Sequence, residues 1–546
     1  MPERAAALEF RGAIPVAPAQ LAAIRLAELQ GLRRYGAAFL LGVLAAAALP
    51  PVDMTPVLVL SFVGFVWLFD GAQRSREAFG IGWCFGLGFF VAGFYWMTAA
   101  LFVDIARFWW LTPFALLGVP AGLAIFTGIA TLAAHATCRA LNWRGVSRVL
   151  ALAVFWSAAE WLRGHVLTGL PWNLVGYAWS GAFPGSLAML QITSIVGIYA
   201  LSLLTVTAAA LPATLGDLGG RRWPPLIASA ALLAGCFSFG WARLESVGAP
   251  AAQPGIEIRI VQPSIPQTLK NDPAERLANF RRQVALSSEP AALGSPPFNM
   301  LIWPEASAPP FLDRDTGARM IIAGLLPAQG MALVGSDRSD PPPGPLDHFW
   351  NSMVAVDHAG AIQGYYDKAH LVPFGEYVPF RSVLPMDKIT PGTTDFSFGP
   401  GRRTLHLPGL PPVSPLICFE AIFPGAVVDP ADRPQWLLVI SNDAWYGFTS
   451  GPFQHFAITR VRAVEEGLPV VRAANNGISG LIDPLGRVVR RLGLDVVGAL
   501  DVPLPRALPA TVYEQVGDAF FFAALPVLLG LAWALSRLKR KTTKSP

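Results

Sequence analysis

The sequence predicts two structural classes in one chain: an α-helical membrane bundle of about eight transmembrane helices, and an α/β domain outside the bilayer. Hydrophobic residues make up 53% of the 546 residues and charged residues only 14%, whereas ordinary soluble domains carry about 25% charge. Residues 36–241 and 518–536 contain few charges, but residues 255–505 have a normal soluble composition. We therefore predict a membrane protein with a large extramembrane domain.

Eight apolar segments are candidates for membrane helices, because a bilayer core of about 30 Å requires roughly 20 residues in a helix. The predicted spans are 36–51, 55–71, 79–102, 111–135, 147–163, 187–214, 223–241 and 518–536. The predicted domains are a cytoplasmic N-terminal extension at 1–35, a bundle of seven helices at 36–245, an α/β domain at 255–505, an eighth membrane helix at 518–536 and a basic cytoplasmic tail at 537–546.

Basic residues predict the orientation, because Lys and Arg prefer the cytoplasmic side of a membrane. They precede the first span and follow the second, fourth, sixth and eighth: Arg33, Arg34, Arg74, Arg76, Arg139, Arg144, Arg148, Arg221, Arg222, Arg537, Lys539, Arg540, Lys541 and Lys544. Both termini are therefore predicted to be cytoplasmic, and the α/β domain is predicted to be periplasmic in the inner membrane of a bacterium. Cleavage of the first span as a signal peptide would place the α/β domain on the cytoplasmic side, which conflicts with the distribution of the basic residues. We therefore interpret that span as retained.

Composition also excludes several function classes. The net charge of +5 comes from residues that flank apolar spans and not from one basic face, so nucleic acid is not an expected partner. No His/Cys ligand spacing and no phosphate-binding glycine loop is present, so neither a metal nor another cofactor is predicted. Cys418 is the only cysteine between residues 255 and 505, so that domain cannot form an internal disulfide.

From Ile256 onward, short β-branched runs alternate with helical patterns, which indicates a layered α/β sheet structure. Strands are predicted at 256–261, 299–303, 331–335, 352–357, 413–418, 436–441, 469–473 and 478–483. Helices are predicted at 273–289, 315–328 and 451–467.

Candidate chemical residues follow three of these strands. Glu305 comes after Leu301-Ile302-Trp303, Cys418 ends Ser414-Pro415-Leu416-Ile417, and Asn442-Asp443 follow Leu437–Ser441. Ligands of open α/β sheets gather at the carboxyl ends of strands. The same placement also describes ordinary loops, so position alone does not establish a site.

Taken singly, these residues have simpler interpretations. A lone Cys418 is most often a small core residue, and a lone Lys368 is usually a solvated surface charge. Taken together, they supply a thiol nucleophile, a carboxylate base in Glu305 and a cation for an oxyanion. His370 and His455 remain alternative bases, which leaves a Cys-His arrangement open.

Three motifs carry a family resemblance: Trp303-Pro304-Glu305, Lys368 ahead of His370-Leu371-Val372-Pro373-Phe374-Gly375-Glu376, and Cys418-Phe419-Glu420. They resemble the Glu-Lys-Cys signature of the nitrilase superfamily, and with the membrane spans the chain resembles the apolipoprotein N-acyltransferase family. Further matching segments are Trp161–Gly164, Leu167–Trp172, Val261–Gln267, Ser441–Gly447, Gln454-His455 and Asn475–Gly477. Two positions depart from the family pattern, because Asn271 and Phe419 replace a tryptophan and a tyrosine that family members can carry.

The resemblance implies a nitrilase-like αββα sandwich and a ping-pong acyl transfer. Cys418 would be the nucleophile, Glu305 the general base and Lys368 the oxyanion stabiliser, with Glu376 and Glu420 as supporting acids. The acyl donor would be a phospholipid, and the acceptor would be the α-amine of a diacylglyceryl-modified apolipoprotein. This would be the final step of bacterial lipoprotein maturation, performed by a monomer.

The loops at 373–400 and 445–453 are rich in apolar residues, which is typical of a surface facing a partner or a membrane. The simpler alternative is that they pack on the sandwich or the bundle.

In the fifth span, Arg163 is expected to pair with Glu160, with lipid-headgroup binding as the alternative. Two other functions remain open: a membrane-anchored amidase, and a transporter that carries a substrate-binding domain.

Overall fold

The computed structural model describes residues 17–218, 223–291, 296–340, 348–383, 387–390 and 394–542. The first part of the predicted N-terminal extension, the basic pair Arg221-Arg222 and the end of the predicted basic tail lie outside the described residues. The rest folds as an N-terminal helical bundle, a two-sheet domain and a C-terminal helix that returns to the bundle.

Helices occur throughout the chain and are longest in its N-terminal half. They are α1 (Pro18–Ala27), α2 (Gly31–Ala46), α3 (Val57–Asp70), α4 (Ser75–Phe94), α5 (Met97–Phe102), α6 (Ile105–Phe108), α7 (Val119–Leu141), α8 (Val146–His165), α9 (Ser186–Leu190), α10 (Thr193–Ala210), α11 (Trp223–Val247), α12 (Gln267–Asn271), α13 (Arg276–Ser287), α14 (Thr316–Ala323), α15 (Gly451–Glu466), α16 (Val512–Val516) and α17 (Ala519–Thr542).

Five helical segments of the described chain are long and apolar enough to cross a membrane: Ser75–Phe94, Ile105–Leu141, Thr193–Gly216, Trp223–Val247 and Ala519–Leu538. The other three predicted spans are also helical. Two of them, α2 and α3, have only 16 and 14 residues. The third, α8, carries Arg148, Glu160 and Arg163. The count of eight transmembrane helices therefore stays a prediction.

The predicted span 187–214 is interrupted by a kink at Gly197. This residue has φ +74° inside α10, and a Cβ placed there would lie 2.2 Å from the ring of Tyr513. Only glycine fits so close an approach without strain. The kink frees the N–H of Ile198, which donates a 2.8 Å hydrogen bond to Glu465 of the α/β domain. The break in the helix thus joins the bundle to the extramembrane domain.

The α/β domain contains two sheets. Its strands are β1 (Ala252–Gln262), β2 (Met300–Ile302), β3 (Met331–Ser339), β4 (Phe349–Asp357), β5 (Ile362–Asp367), β6 (Val413–Ile417), β7 (Trp436–Ser441), β8 (Val470–Ala474), β9 (Gly480–Ile482), β10 (Val488–Arg491) and β11 (Gly498–Pro505). The first sheet has the order β11-β1-β2-β3-β4-β5, and the second has the order β10-β9-β8-β7-β6. Neighbouring parallel strands lie in the interior of the first sheet, as β1-β2-β3, and at one edge of the second, as β8-β7-β6.

Apolar side chains from the two sheets meet in a shared core that includes Ile258, Ile302 and Leu438. The other face of the first sheet packs against α13 and α14 through Phe280 and Ile322. The outer face of the second sheet packs against α15 through Phe456 and Ala463. These four layers form the predicted αββα sandwich, which is confirmed.

Helix α15 is buried along nearly its whole length, as expected for a helix surrounded by protein on every side. One face covers the second sheet, and the opposite face enters the core of the bundle through Ile458, Val461 and Val464. Helix α15 therefore contributes to the apolar core of the bundle on one face and to that of the sandwich on the other.

Candidate active site

The candidate residues converge where strands of both sheets end. Glu305 follows β2, Lys368 directly follows β5, Cys418 directly follows β6, and Asn442 directly follows β7. All four are buried. Burial of polar groups is costly unless they contact one another, and the contacts below join most of the groups of this cluster.

Two hydrogen bonds hold the Glu305 carboxylate. Its Oε2 accepts the backbone N–H of Asn442 at 2.8 Å, and its Oε1 accepts Nδ2 of Asn351 at 2.6 Å. The Asn351 amide group donates to Glu376 as well, at 3.0 Å. The Glu305 side chain is therefore fixed by one residue from each sheet.

Lys368 lies between two carboxylates. Its Nζ is 2.9 Å from Glu376 and 3.7 Å from Glu305, and its side chain is 1% exposed. Burial opposes the charge on this amine, but the carboxylates of Glu376 and Glu305 outweigh it and hold the pKa of Lys368 above its usual range. The amine therefore stays an ammonium ion inside the site.

Cys418 occupies a strained turn. Its φ is +53°, a left-handed conformation that costs about 1–3 kcal/mol for a residue with a side chain. Burial raises the pKa of the Cys418 thiol to about 12, the nearby charge of Glu305 adds to this rise, and Lys368 opposes it. The resting sulfur is therefore a neutral thiol, and it becomes a nucleophile only when a base removes its proton.

Glu376 and Glu420 occupy different positions. Glu376 faces Lys368 and also accepts the N–H of Val372 at 2.8 Å. Glu420 accepts the N–H groups of Ile417, Ala369 and His370 and the hydroxyl of Tyr366. Glu420 thus joins the turn that carries Cys418 to the loop that carries Lys368, whereas Glu376 is in direct contact with the Lys368 amine.

The alternative bases His370 and His455 each make hydrogen-bond contacts with groups other than the Cys418 thiol. His370 Nε2 lies 2.9 Å from the hydroxyl of Thr168, and its ring stacks on Phe423. His455 uses Nε2 toward the backbone carbonyl of Cys418, at 3.1 Å, and Nδ1 toward Asp443. His455 therefore contacts the Cys418 main chain, and one of its ring nitrogens lies within 4.8 Å of the Cys418 sulfur.

Cys418, Asp443 and His455 place possible ligand atoms within 4.8 Å of one another. The guanidinium of Arg472 lies beside this group, and its Nη2 donates to both oxygens of Asp443 at 3.0 and 2.7 Å. Its positive charge overcomes the effect of burial and, with His455, holds the pKa of Asp443 well below its usual range. A buried guanidinium already neutralises this carboxylate, so the group does not fit a metal ion.

Three contacts of the site were not predicted. Asn351 joins Glu305 to Glu376, Tyr446 places its hydroxyl 3.7 Å from Cys418 Sγ, and Lys270 donates to the backbone carbonyl of Glu305 at 2.7 Å. Asn351 lies inside β4, and no local pattern in the sequence marks it. Tyr446 and Lys270 lie in segments whose tertiary position is not encoded by a local pattern.

The bundle contributes one wall of the site. The indole N–H groups of Trp96 and Trp172 both donate to Oε1 of Gln454, at 3.2 and 2.8 Å, and both rings pack against Tyr446. The guanidinium of Arg163 holds the loop that contains Trp172 by donating to the backbone carbonyls of Leu170, Trp172 and Asn173. The guanidinium of Arg163 is buried and donates to these carbonyls, and it also interacts electrostatically with the buried Glu160, so the predicted pairing is present as a charge interaction beside the hydrogen bonds to the loop.

Two family models match separate parts of the chain. The family model described as "Carbon-nitrogen hydrolase" matches residues 257–508, which places the sandwich in the nitrilase superfamily. The model described as "Apolipoprotein N-acyltransferase N-terminal domain" matches residues 41–211. An amidase of Nesterenkonia from the nitrilase superfamily is 19% identical, with a TM-score of 0.35, and the match covers 51% of this chain and 99% of that one.

Two relatives match nearly the whole chain. The apolipoprotein N-acyltransferase of Bradyrhizobium diazoefficiens is 43% identical over 519 residues, or 92% of this chain and 95% of the relative. That of Rhodopseudomonas palustris is 41% identical over 520 residues, with the same coverage of 92% and 95%. The chain belongs to the apolipoprotein N-acyltransferase family.

Proposed function

We propose that this protein transfers an acyl chain from a phospholipid to the N-terminal α-amine of a diacylglyceryl-cysteine on an apolipoprotein, through a thioester on Cys418. The observation that carries the proposal is the burial of a thiol, a carboxylate and an ammonium group at converging strand ends. In this arrangement Cys418 is the nucleophile, Glu305 the general base and Lys368 the oxyanion stabiliser.

In the first half-reaction, Glu305 takes the proton of the Cys418 thiol, and the sulfur attacks the carbonyl carbon of the phospholipid ester. The oxyanion that forms faces the Lys368 ammonium, whose charge stabilises it by a few kcal/mol in a water-poor site. The ester C–O bond then breaks, and Glu305 returns the proton to the departing lysophospholipid oxygen. The products are an acyl-Cys418 thioester and a lysophospholipid.

In the second half-reaction, the neutral α-amine of the acceptor attacks the thioester carbonyl. Glu305 removes a proton from the nitrogen, the C–S bond breaks, and the proton passes to the Cys418 sulfur. The C–N bond of the amide replaces the thioester, and the enzyme returns to its starting state. Glu376 supports this cycle by holding Lys368 in place, and Glu420 by fixing the turn before Cys418.

Exposed apolar side chains near the site support a lipid substrate. Phe380, Phe398 and Phe448 are 74%, 57% and 73% exposed, and they belong to the two loops that the sequence marked as apolar. Exposed patches of this kind mark partner or membrane surfaces. Such a surface delivers acyl chains from the bilayer and keeps water from the thioester, which separates a transferase from a hydrolase with the same nucleophile.

The same proposal includes the cellular arrangement. The protein acts as a monomer in the bacterial inner membrane, with the sandwich in the periplasm and both termini in the cytoplasm. The basic connections between spans support this orientation.

Purified protein incubated with a fluorescent phospholipid and a diacylglyceryl-cysteine peptide tests the proposal against its rivals. N-acylated peptide supports the transferase. Release of free fatty acid with or without peptide shows that water takes the acyl group and supports the membrane-anchored hydrolase of the amidase type, and the absence of Cys418-dependent turnover leaves the transporter. Cys418→Ala is the inactive variant, and Cys84→Ala is the matched control because Cys84 lies in the bundle helix α4.

A further inference from the structure

We propose that Tyr446 is a further catalytic residue, whose hydroxyl donates a hydrogen bond to the Cys418 sulfur when that sulfur is a thiolate. The inference rests on the proposed role of Cys418 as the nucleophile. Tyr446 Oη lies 3.7 Å from Cys418 Sγ, within the range of a hydrogen bond to sulfur.

The ring of Tyr446 is held in place on three sides. It packs edge-to-face against Trp96 at 4.7 Å, Trp172 at 5.9 Å and His455 at 5.7 Å between ring centroids. The two tryptophans are themselves anchored through the shared oxygen of Gln454. The hydroxyl is therefore positioned before any substrate arrives, as preorganised electrostatic catalysis requires.

The hydroxyl remains a donor throughout the cycle. Burial, together with the nearby Cys418 and Asp443, raises the pKa of Tyr446 well above its ordinary value, so the phenol keeps its proton. While Cys418 is a thiol, either atom can donate to the other. Once the Cys418 proton has moved to Glu305, only Tyr446 can donate, and its partner then carries a negative charge.

This difference makes the contact catalytic and not only structural. A hydrogen bond to a charged acceptor is stronger than one to a neutral acceptor, and a thioester sulfur is a weak acceptor. The contact therefore strengthens as the thiolate forms and weakens as it is acylated. The hydrogen bond strengthens again when Cys418 leaves as a thiolate during attack by the amine. Both half-reactions therefore pass through a Cys418 thiolate, which the Tyr446 hydroxyl stabilises more than it stabilises the resting thiol.

The test is Tyr446→Phe, which keeps the ring and removes only the hydroxyl. The rate of thioester formation from phospholipid should fall about tenfold, the effect of one hydrogen bond to a charged group. Alkylation of Cys418 by iodoacetamide should also fall about tenfold at each pH below the thiol pKa, because less thiolate is present. Tyr365→Phe is the matched control, since Tyr365 is 40% exposed and stacks under Arg338.

Unchanged alkylation and acylation rates in Tyr446→Phe would overturn the inference. If that variant does not fold, 3-fluorotyrosine at position 446 decides the question: a more acidic hydroxyl is a stronger donor, so alkylation should be faster than in the natural protein, and an equal rate would refute the proposal. The alkylation measurement requires no lipid. A natural protein that never forms an acyl adduct would refute the proposed function, while the alkylation comparison still reports on the Tyr446 hydrogen bond.

Discussion

At the scale of single residues, the state of Cys418 determines how the site can work. The structure surrounds its sulfur with apolar packing and a carboxylate, and these together outweigh the single ammonium of Lys368. Many reactive cysteines are instead stored as thiolates beside a cation. The arrangement here keeps the Cys418 thiol protonated, so under the proposed mechanism a base such as Glu305 has to remove its proton.

The alkylation rate of Cys418 should follow from this state. Because burial raises the pKa of its thiol to about 12, the rate with iodoacetamide should rise about tenfold per pH unit, without a plateau below about pH 11. Mass spectrometry of the peptide containing Cys418 measures the rate, in protein whose other three cysteines are replaced by alanine. A plateau near neutral pH would show a resting thiolate and contradict this account.

Glu305→Gln should remove the base and preserve the shape of the site. The rate of acyl transfer should fall by about 10²- to 10⁴-fold, the usual contribution of a general base. Glu289→Gln provides the control, because its side chain is exposed on the surface of the sandwich. Initial rates with labelled phospholipid compare the two variants, and equal activity in both would remove Glu305 from the mechanism.

The sequence proposed Glu305 and Cys418 because each follows an apolar strand, and it proposed Lys368 because its charge fits the chemistry of the other two and its motif resembles that of the family. It could not identify Asn351, Tyr446 or Lys270, whose importance depends on contacts between distant segments. Asn351 and Glu305, for example, are 46 positions apart in the chain. A side chain that serves as a bridge has no local sequence signal of its own.

At the scale of structural elements, the short helix α12 is tied to the site at two points. Lys270 donates to the backbone carbonyl of Glu305 at 2.7 Å, and Gln267 accepts the Asn442 side-chain amide at 2.7 Å. Asn442 in turn donates its own N–H to Glu305. The position of α12 and the orientation of the Glu305 carboxylate are therefore linked through Lys270 and Asn442.

Lys270→Met should lower kcat about fivefold with a smaller change in KM, because loss of one hydrogen bond lets the Glu305 backbone move. Lys270→Arg should restore part of kcat, since arginine also donates. Steady-state kinetics with saturating peptide separate the two constants. A variant that changes only KM would show that Lys270 binds substrate and does not position the base.

Helix α15 carries a second testable feature at its end. Burial raises the pKa of Glu466 to about 8, and the like charges of Glu465 and Glu514 add to this rise. Because the folded pKa lies above the unfolded value of about 4.3, Glu466 contributes stability that is full at low pH and is lost as pH rises through about 8. Wild-type Tm should therefore decline between about pH 5 and pH 9, and Glu466→Gln should flatten that decline. An identical pH profile in both proteins would contradict the assignment.

Element prediction from sequence succeeded where periodicity was strong. All eight predicted strands have counterparts, but β5, β10 and β11 were missed. The segment of β5 contains Gly364, β10 ends in two arginines, and β11 contains Pro503 and Pro505. These residues weaken a strand signal, and each strand forms only because a neighbouring strand supplies its hydrogen bonds.

At the scale of the whole molecule, the bundle is part of the catalytic architecture as well as an anchor. Trp96 and Trp172 reach the site from the bundle, Arg460 donates to the carbonyls of Ser180 and Gly181, and Glu465 binds the kink at Gly197. A soluble nitrilase-type sandwich would have to bury the same face of α15 in another way. Here the membrane part supplies that cover and one wall of the site.

The central claim is that Cys418 carries the acyl chain, and mass spectrometry tests it most directly. Protein incubated with phospholipid alone should gain the mass of one acyl chain on the peptide containing Cys418, and added diacylglyceryl-cysteine peptide should remove it while N-acylated peptide appears. An adduct that forms with lipid and disappears with acceptor is the predicted result. Acyl transfer to the peptide without any adduct on Cys418 at early times would contradict the account, because the acyl group would then pass directly from lipid to amine.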